Sequence, residues 1–208
     1  MGVQSFTKRK KKREIRELRG KNMEADKTLY IIAGANGSGK TTFALSYVEL
    51  NNLHFINADE IAKKYDPQDI QKYKVKAGRE FFKQLHANLA KESSFMIEST
   101  LSGKYLANII KEAKDRGFAV VLIYLFLEND VENILRVRNR VLNGGHNVPE
   151  EDIKRRYIRS KKLFYQTYKE MVDGWMLFFN GDDNYELVAN KEQIFLDDLY
   201  NNFLKGLV

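Results

Sequence analysis

Two rhythms of apolar and polar positions run through this chain. Short apolar runs at Leu29-Tyr30-Ile31-Ile32-Ala33, His54-Phe55-Ile56-Asn57, Phe95-Met96-Ile97-Glu98 and Val120 to Leu127 predict strands, and so do Trp175 to Phe179 and Tyr185 to Ala189. Between them apolar residues return every three or four positions, the helical rhythm. Helices are predicted from Thr41, over Glu60 to Lys64, over Gln68 to Lys91 (buried face Ile70, Tyr73, Ala77, Phe81, Leu85, Leu89), over Tyr105 to Asp115, over Val131 to Leu142, after Pro149, and over Glu192 to Leu204. The run from Val120 is apolar on both faces, as a central parallel strand should be. Strands alternating with helices through right-handed crossovers give an α/β fold: a three-layer domain with a mostly parallel central sheet and a helical lid.

The lid is expected at about 131–160. In its first helix Val131, Ile134, Leu135, Val141 and Leu142 form an apolar stripe, Arg136 and Arg140 share another face, and Arg138 is notable for falling within the stripe. A glycine turn, Asn143-Gly144-Gly145-His146-Asn147-Val148-Pro149, leads to a second helix whose inner face is Ile153, Tyr157, Ser160, Phe164 and Met171. Arg156 flanks that face and Arg155 points away. Arginines on a glycine-hinged helix pair suit a phosphoryl-transfer lid, and the plainer alternative is a solvated basic helix.

Composition narrows the setting. The 208 residues fit one domain with a tail: a basic arm at 1–26 and the α/β domain at 27–208. No cysteine is present, which excludes disulfides and thiolate zinc sites. No run is apolar and long enough to span a bilayer or to serve as a signal peptide, so a cytoplasmic protein without a membrane partner is the expectation. The net charge of +7 lies in the tail: residues 1–21 hold nine Lys/Arg against two Asp/Glu, and the remainder is balanced. That arm reads as a solvated segment, a contact for nucleic acid or another anionic surface, or a partner-binding helix.

The candidate chemistry centres on Gly34-Ala35-Asn36-Gly37-Ser38-Gly39-Lys40-Thr41, followed by Thr42. The pattern G-x-x-x-x-G-K-[ST], with a strand before it and a helix after it, is a phosphate loop. Its glycines let backbone N–H groups wrap a polyphosphate at the positive end of a helix, Lys40 reaches the outer phosphates, and the Thr41 hydroxyl is placed for Mg²⁺. ATP and Mg²⁺ are the expected ligands. Asp59 is the first acid past the loop at the ligand edge of the sheet, with an N-cap for the following helix as the alternative. Glu98 ends an apolar strand, where a carboxylate either pairs with a cation or a ligand hydroxyl or sits at the wet rim, and Thr100 adds a hydroxyl at the same edge. His86 reads as a surface histidine, while His146 either orders the hinge or touches ligand. The strongest strand ends Leu127-Glu128-Asn129-Asp130, with no obvious Walker B aspartate, which suits a small-molecule kinase better than a motor ATPase.

Taken in order, the phosphate loop, Asn57-Ala58-Asp59-Glu60, Glu98-Ser99-Thr100-Leu101-Ser102-Gly103, and Arg136 through Arg140 to Gly144-Gly145-His146-Asn147-Val148-Pro149-Glu150 resemble the zeta toxin family, in its compact single-domain branch, from about Thr28 to Ala189. The resemblance implies an ATP-dependent kinase that phosphorylates a sugar hydroxyl of UDP-N-acetylglucosamine, acting as the toxin of a toxin-antitoxin pair. By position it makes Asp59 the general base, Lys40 the ligand of the β- and γ-phosphates, Glu98 and Thr100 the acceptor's holders, and Arg140 and Arg156 the lid arginines, with Arg136 beside the nucleotide, and it leaves Arg138 to packing. It also implies a small antitoxin that blocks the nucleotide site. The chain is shorter than the better-known toxins and its lysine-rich tail has no counterpart in the pattern. A kinase of another metabolite or nucleotide, and a nucleic-acid-associated P-loop protein gripping through the basic arm, therefore stay open.

Overall fold

The computed structural model describes residues 27–67, 69–181 and 184–207, so the basic arm at 1–26 lies outside the described residues. Six strands form one sheet in the order β2-β3-β1-β4-β5-β6: β1 (Thr28–Ala33), β2 (His54–Ile56), β3 (Phe95–Ser99), β4 (Ala119–Phe126), β5 (Gly174–Asn180) and β6 (Tyr185–Asn190). The first five are parallel and β6 closes the edge antiparallel to β5. The helices are α1 (Lys40–Asn51), α2 (Ala58–Tyr65), α3 (Ile70–Ala90), α4 (Tyr105–Asp115), α5 (Asp130–Leu142), α6 (Glu150–Leu163), a short α7 (Lys169–Met171) and α8 (Asp197–Leu204), with a π-helical turn at Phe164–Tyr168 between α6 and α7.

The period-two alternation of β1 and β4 sorts their side chains into two cores. Leu29, Ile31, Ala33, Leu122, Tyr124 and Phe126 meet Leu85 of α3, Ile109 and Ile110 of α4, and Phe203 of α8. Tyr30, Ile32, Val121, Ile123 and Leu125 meet Phe43, Ala44 and Tyr47 of α1. These are the three layers expected. The chain leaves β1 toward β2 on one side and returns at β4 on the other, and a crevice at the carboxyl ends of the strands forms where the order reverses.

The lid helices differ from the sequence reading. A separate four-residue core, Ile134, Val137, Val148 and Ile153, joins α5 to α6. The buried face of α5 is Asn133, Ile134 and Val137, whereas Val131 (57%), Leu135 (50%) and Leu142 (84%) of the expected stripe are exposed. Arg138 is no packing residue either. Its Nε donates to Glu150 Oε1 at 3.0 Å on the surface. The inner face of α6 is as expected at Ile153, Ser160 and Phe164, and the Tyr124 and Ser160 hydroxyls meet at 2.6 Å in the core. The lower end of α6 is thus rooted in the main core and its upper end belongs to the lid. The last helix starts at Asp197, later than Glu192, because the backbone from Asn190 to Leu196 bonds back onto β6.

Candidate active site

Three glycines of the loop between β1 and α1 adopt positive φ: Gly34 at 143°, Gly37 at 83° and Gly39 at 87°. Close packing forbids a side chain at each. A Cβ on Gly34 would lie 2.2 Å from the Leu125 carbonyl oxygen, and one on Gly37 2.5 Å from that of Asn133. Side chains far along the sequence brace the loop from behind: Asn133 Nδ2 donates to Asn36 O (2.6 Å), Asn180 Nδ2 to Ser38 O (2.9 Å) and the Tyr185 hydroxyl to Gly39 O (3.1 Å). The sequence reading found none of the three. Asn133 carried a faint signal, a polar residue amid Val131, Ile134 and Leu135, but nothing local marks Asn180 or Tyr185.

The loop fits a polyphosphate. Ser38 is fully buried and its Oγ has no hydrogen-bond partner, an orphan that an anion's oxygen would satisfy. Lys40, also buried, turns its ammonium inward onto Ala35 O at 2.7 Å. Burial lowers its pKa, with Arg140 and Arg156 adding to the effect while Glu98 and Asp59 oppose it. A buried cation held by one carbonyl lacks a full charge partner, which is the electrostatic counterpart of the orphaned serine.

Next to Lys40, the Thr41 hydroxyl donates to Glu98 Oε2 (2.9 Å), and the same oxygen accepts from Asn57 Nδ2 (2.7 Å). Burial raises the Glu98 pKa, against the pull of Lys40 and of the Thr41 hydrogen bond. Asn57 also caps α2, its Oδ1 accepting from the N–H groups of Asp59 and Glu60. Asp59 is therefore not the N-cap. It lies in the first turn with its carboxylate free of that duty and 42% exposed. Thr100 follows β3, its hydroxyl 2.9 Å from Ser102 Oγ, and Ser99 Oγ, not a residue nearer α4, accepts from Leu101 N. Thr42 is exposed on α1.

The lid reaches this site at three points. Arg156 Nη1 donates to Asn36 Oδ1 at 2.9 Å, with Asp152 3.5 Å from its other nitrogen. Arg140 donates to His146 O at 2.9 Å, and its Nε is buried without a partner. The His146 ring, with its side chain 11% exposed, stands 3.4 Å from Asp59 Oδ2 and 3.3 Å from the Arg140 guanidinium, so it orders the hinge and ties it to α2. Burial keeps the ring below its usual pKa in spite of Asp59. Arg136 stands apart from this group: it donates to Asn180 O (2.9 Å) and Gly181 O (3.0 Å) beside a cavity of about 350 Å³ bordered by Glu128, Leu135 and Phe179. His86 lies on the surface beside Glu112.

Glu98 also forms part of a second cavity, of about 310 Å³, walled by Ala58, Gly78, Phe81, Phe82 and Tyr105. Among the described residues no cluster of His, Cys, Asp and Glu could hold a metal by itself. A divalent ion here would need phosphate oxygens or water to complete its shell, as Mg²⁺ at nucleotide sites does, and the Thr41 hydroxyl and the Glu98 carboxylate are oxygen donors suited to it.

Comparison with known proteins bears on the family and the fold. The family model for zeta toxin matches residues 13–193. An uncharacterised protein of Haemophilus influenzae is 35% identical over 124 residues, 60% of this chain and 88% of that one. Among solved structures, the PezAT chromosomal toxin-antitoxin system of Streptococcus pneumoniae superposes with a TM-score of 0.64 at 16% identity, covering 93% of this chain and 83% of that one. The AvrRxo1-ORF1:-ORF2 structure with ATP gives 0.68 at 15% identity over 91% and 66%. At such identities the superpositions speak to fold, and the family match speaks to descent. The chain belongs to the zeta toxin family and is a P-loop kinase.

Proposed function

We propose that this chain moves the γ-phosphoryl group of ATP to a hydroxyl of a small molecule, and that a UDP-N-acetyl sugar is the first acceptor to try. The observation that carries the reading is the position of Glu98. One oxygen is bonded to Thr41 at the mouth of the phosphate loop, and the same side chain lines a cavity that can hold an acceptor.

In this scheme the triphosphate enters the glycine loop, and Lys40 leaves Ala35 O for the β- and γ-phosphates. Arg136 walls the nucleoside end, beside the cavity at Gly181. The Thr41 hydroxyl, with Glu98 behind it, would hold Mg²⁺, which when bound would supply charge neutralisation. Asp59 aligns the acceptor hydroxyl and takes its proton as the new O–P bond forms. The bond to the β-phosphate oxygen breaks and ADP leaves with the electron pair. Arg140 and Arg156 meet the charge on the transferring group, and the lid, with its own small core, closes to exclude water. Thr100 steadies the acceptor from the end of β3.

Of the structurally similar proteins, PezAT is described as a toxin-antitoxin system and AvrRxo1-ORF1:-ORF2 as a complex. We extend this to the present chain as a toxin whose antitoxin covers the nucleotide site. No helix among the described residues is long and apolar enough to cross a membrane, and action in the cytoplasm, where ATP is abundant, fits the reading. Incubating the protein with Mg-ATP and a panel of UDP-sugars, nucleotides and free sugars, with mass spectrometry of the products, tests it. ADP together with one phosphorylated small molecule is expected. Transfer only to polynucleotide ends would contradict it.

A further inference from the structure

The cavity beside Glu98 has a composition that its position alone does not require. Phe81 and Phe82 meet edge to face at 5.6 Å between ring centroids, and Phe82 and Tyr105 do the same at 6.1 Å. Phe82 and Tyr105 are both exposed toward solvent, and aromatic rings left open at a pocket are surfaces on which another ring can stack. Glu98 is the single charged residue of the lining, and it is an acid. A phosphate group placed there would face a carboxylate with no lining cation to offset it. The volume of about 310 Å³ is at the small end of small-molecule sites.

Gly78 is the second observation. It sits within α3, where glycine weakens a helix relative to alanine, and neither of the usual reasons for it applies. Its φ is not positive, and a Cβ built on it would meet nothing within 4 Å. What it does is leave the cavity open: Gly78 lies one turn from Phe81 and Phe82 on the same face, so any side chain there would enter the space they enclose.

We propose that this cavity receives an uncharged, ring-bearing alcohol of about nucleoside size, or the corresponding uncharged portion of a larger one. Phe82 and Tyr105 stack on the ring, Glu98 accepts from a hydroxyl, and Gly78 sets the depth. The inference rests on the phosphotransferase reading and narrows its acceptor: phosphate groups stay outside the pocket.

The test uses the full chain with Mg-ATP and two sets of acceptors. Uridine, adenosine and pyridoxine represent uncharged ring alcohols; glycerol 3-phosphate and UDP-N-acetylglucosamine represent phosphate-bearing ones. Turnover of at least one uncharged ring alcohol is expected. Gly78→Leu should raise its KM tenfold or more and Gly78→Ala by less, while both keep the wild-type affinity for ATP and a Tm no lower than wild type. Phe82→Ala should raise KM with little change in kcat. The inference is overturned if a protein that binds ATP turns over neither an uncharged ring alcohol nor UDP-N-acetylglucosamine, or if Gly78→Leu leaves the KM of every acceptor unmoved. Failure to bind Mg-ATP at all would instead remove the kinase reading beneath it.

Discussion

At the scale of single residues, the site depends on groups that have little room to change. Gly37 holds φ at 83° against the Asn133 backbone, so Gly37→Ala combines a disfavoured conformation with a 2.5 Å approach. We expect it to cost about 1–3 kcal/mol and, at roughly 2–4 °C per kcal/mol for a chain of this size, to lower Tm measurably. ATP binding measured by calorimetry should fall with it. His146 offers a pH test. Asp59 attracts its proton while Arg140, Lys63 and Lys74 repel it, and burial leaves the balance in favour of the neutral ring. The ring's contribution to stability is then complete above the unfolded value of about 6.5. It is lost as pH falls below that value, because the unfolded chain takes up a proton that the folded one resists. Melting curves between about pH 8 and pH 5 should show the wild type losing ground to His146→Gln on the acid side.

At the scale of elements, the lid is the part where pattern and structure diverge. The apolar stripe of α5 was the obvious choice for an inner face, but the helix turns Asn133 inward to reach Asn36 O and leaves Val131, Leu135 and Leu142 in solvent. That hydrogen bond lies on the same face as Ile134 and Val137, which pack on Val148 and Ile153, and a hydrophobic pattern cannot report its polar share. By contrast α6 reads correctly, because its lower half enters the main core through Ser160 and Phe164, where apolar burial dominates. Of the arginines of α6, Arg156 is then the sharper probe of the lid. Arg156 is held on Asn36 by one hydrogen bond with its side chain 23% exposed, so Arg156→Ala should barely move Tm. It should lower kcat by about 10³-fold or more if the guanidinium serves the transferring group, with a smaller change in the KM for ATP. Arg156→Lys should not restore the rate, since a lysine lacks the planar fork.

At the scale of the molecule, the sheet was legible because β1 and β4 are buried on both faces, and their unbroken apolar runs announce a central parallel pair. The phosphate loop was legible because its glycines answer to local geometry. The braces from Asn180 and Tyr185 were not, since they come from the far edge of the sheet and only the closed fold brings them to Ser38 and Gly39. Asn57 lies between the two cases: a capping residue can be read before a helix, but its second bond, to Glu98, cannot. The same folding that gathers these polar groups places Asp59 beside the lid hinge, which is the central claim about chemistry. Phosphoryl transfer and ATP binding by wild type and Asp59→Asn, measured side by side with the best acceptor from the panel, test it most directly. Asp59→Asn should bind ATP as wild type does while transfer slows by roughly 10²–10⁴-fold. Transfer at the wild-type rate would contradict it.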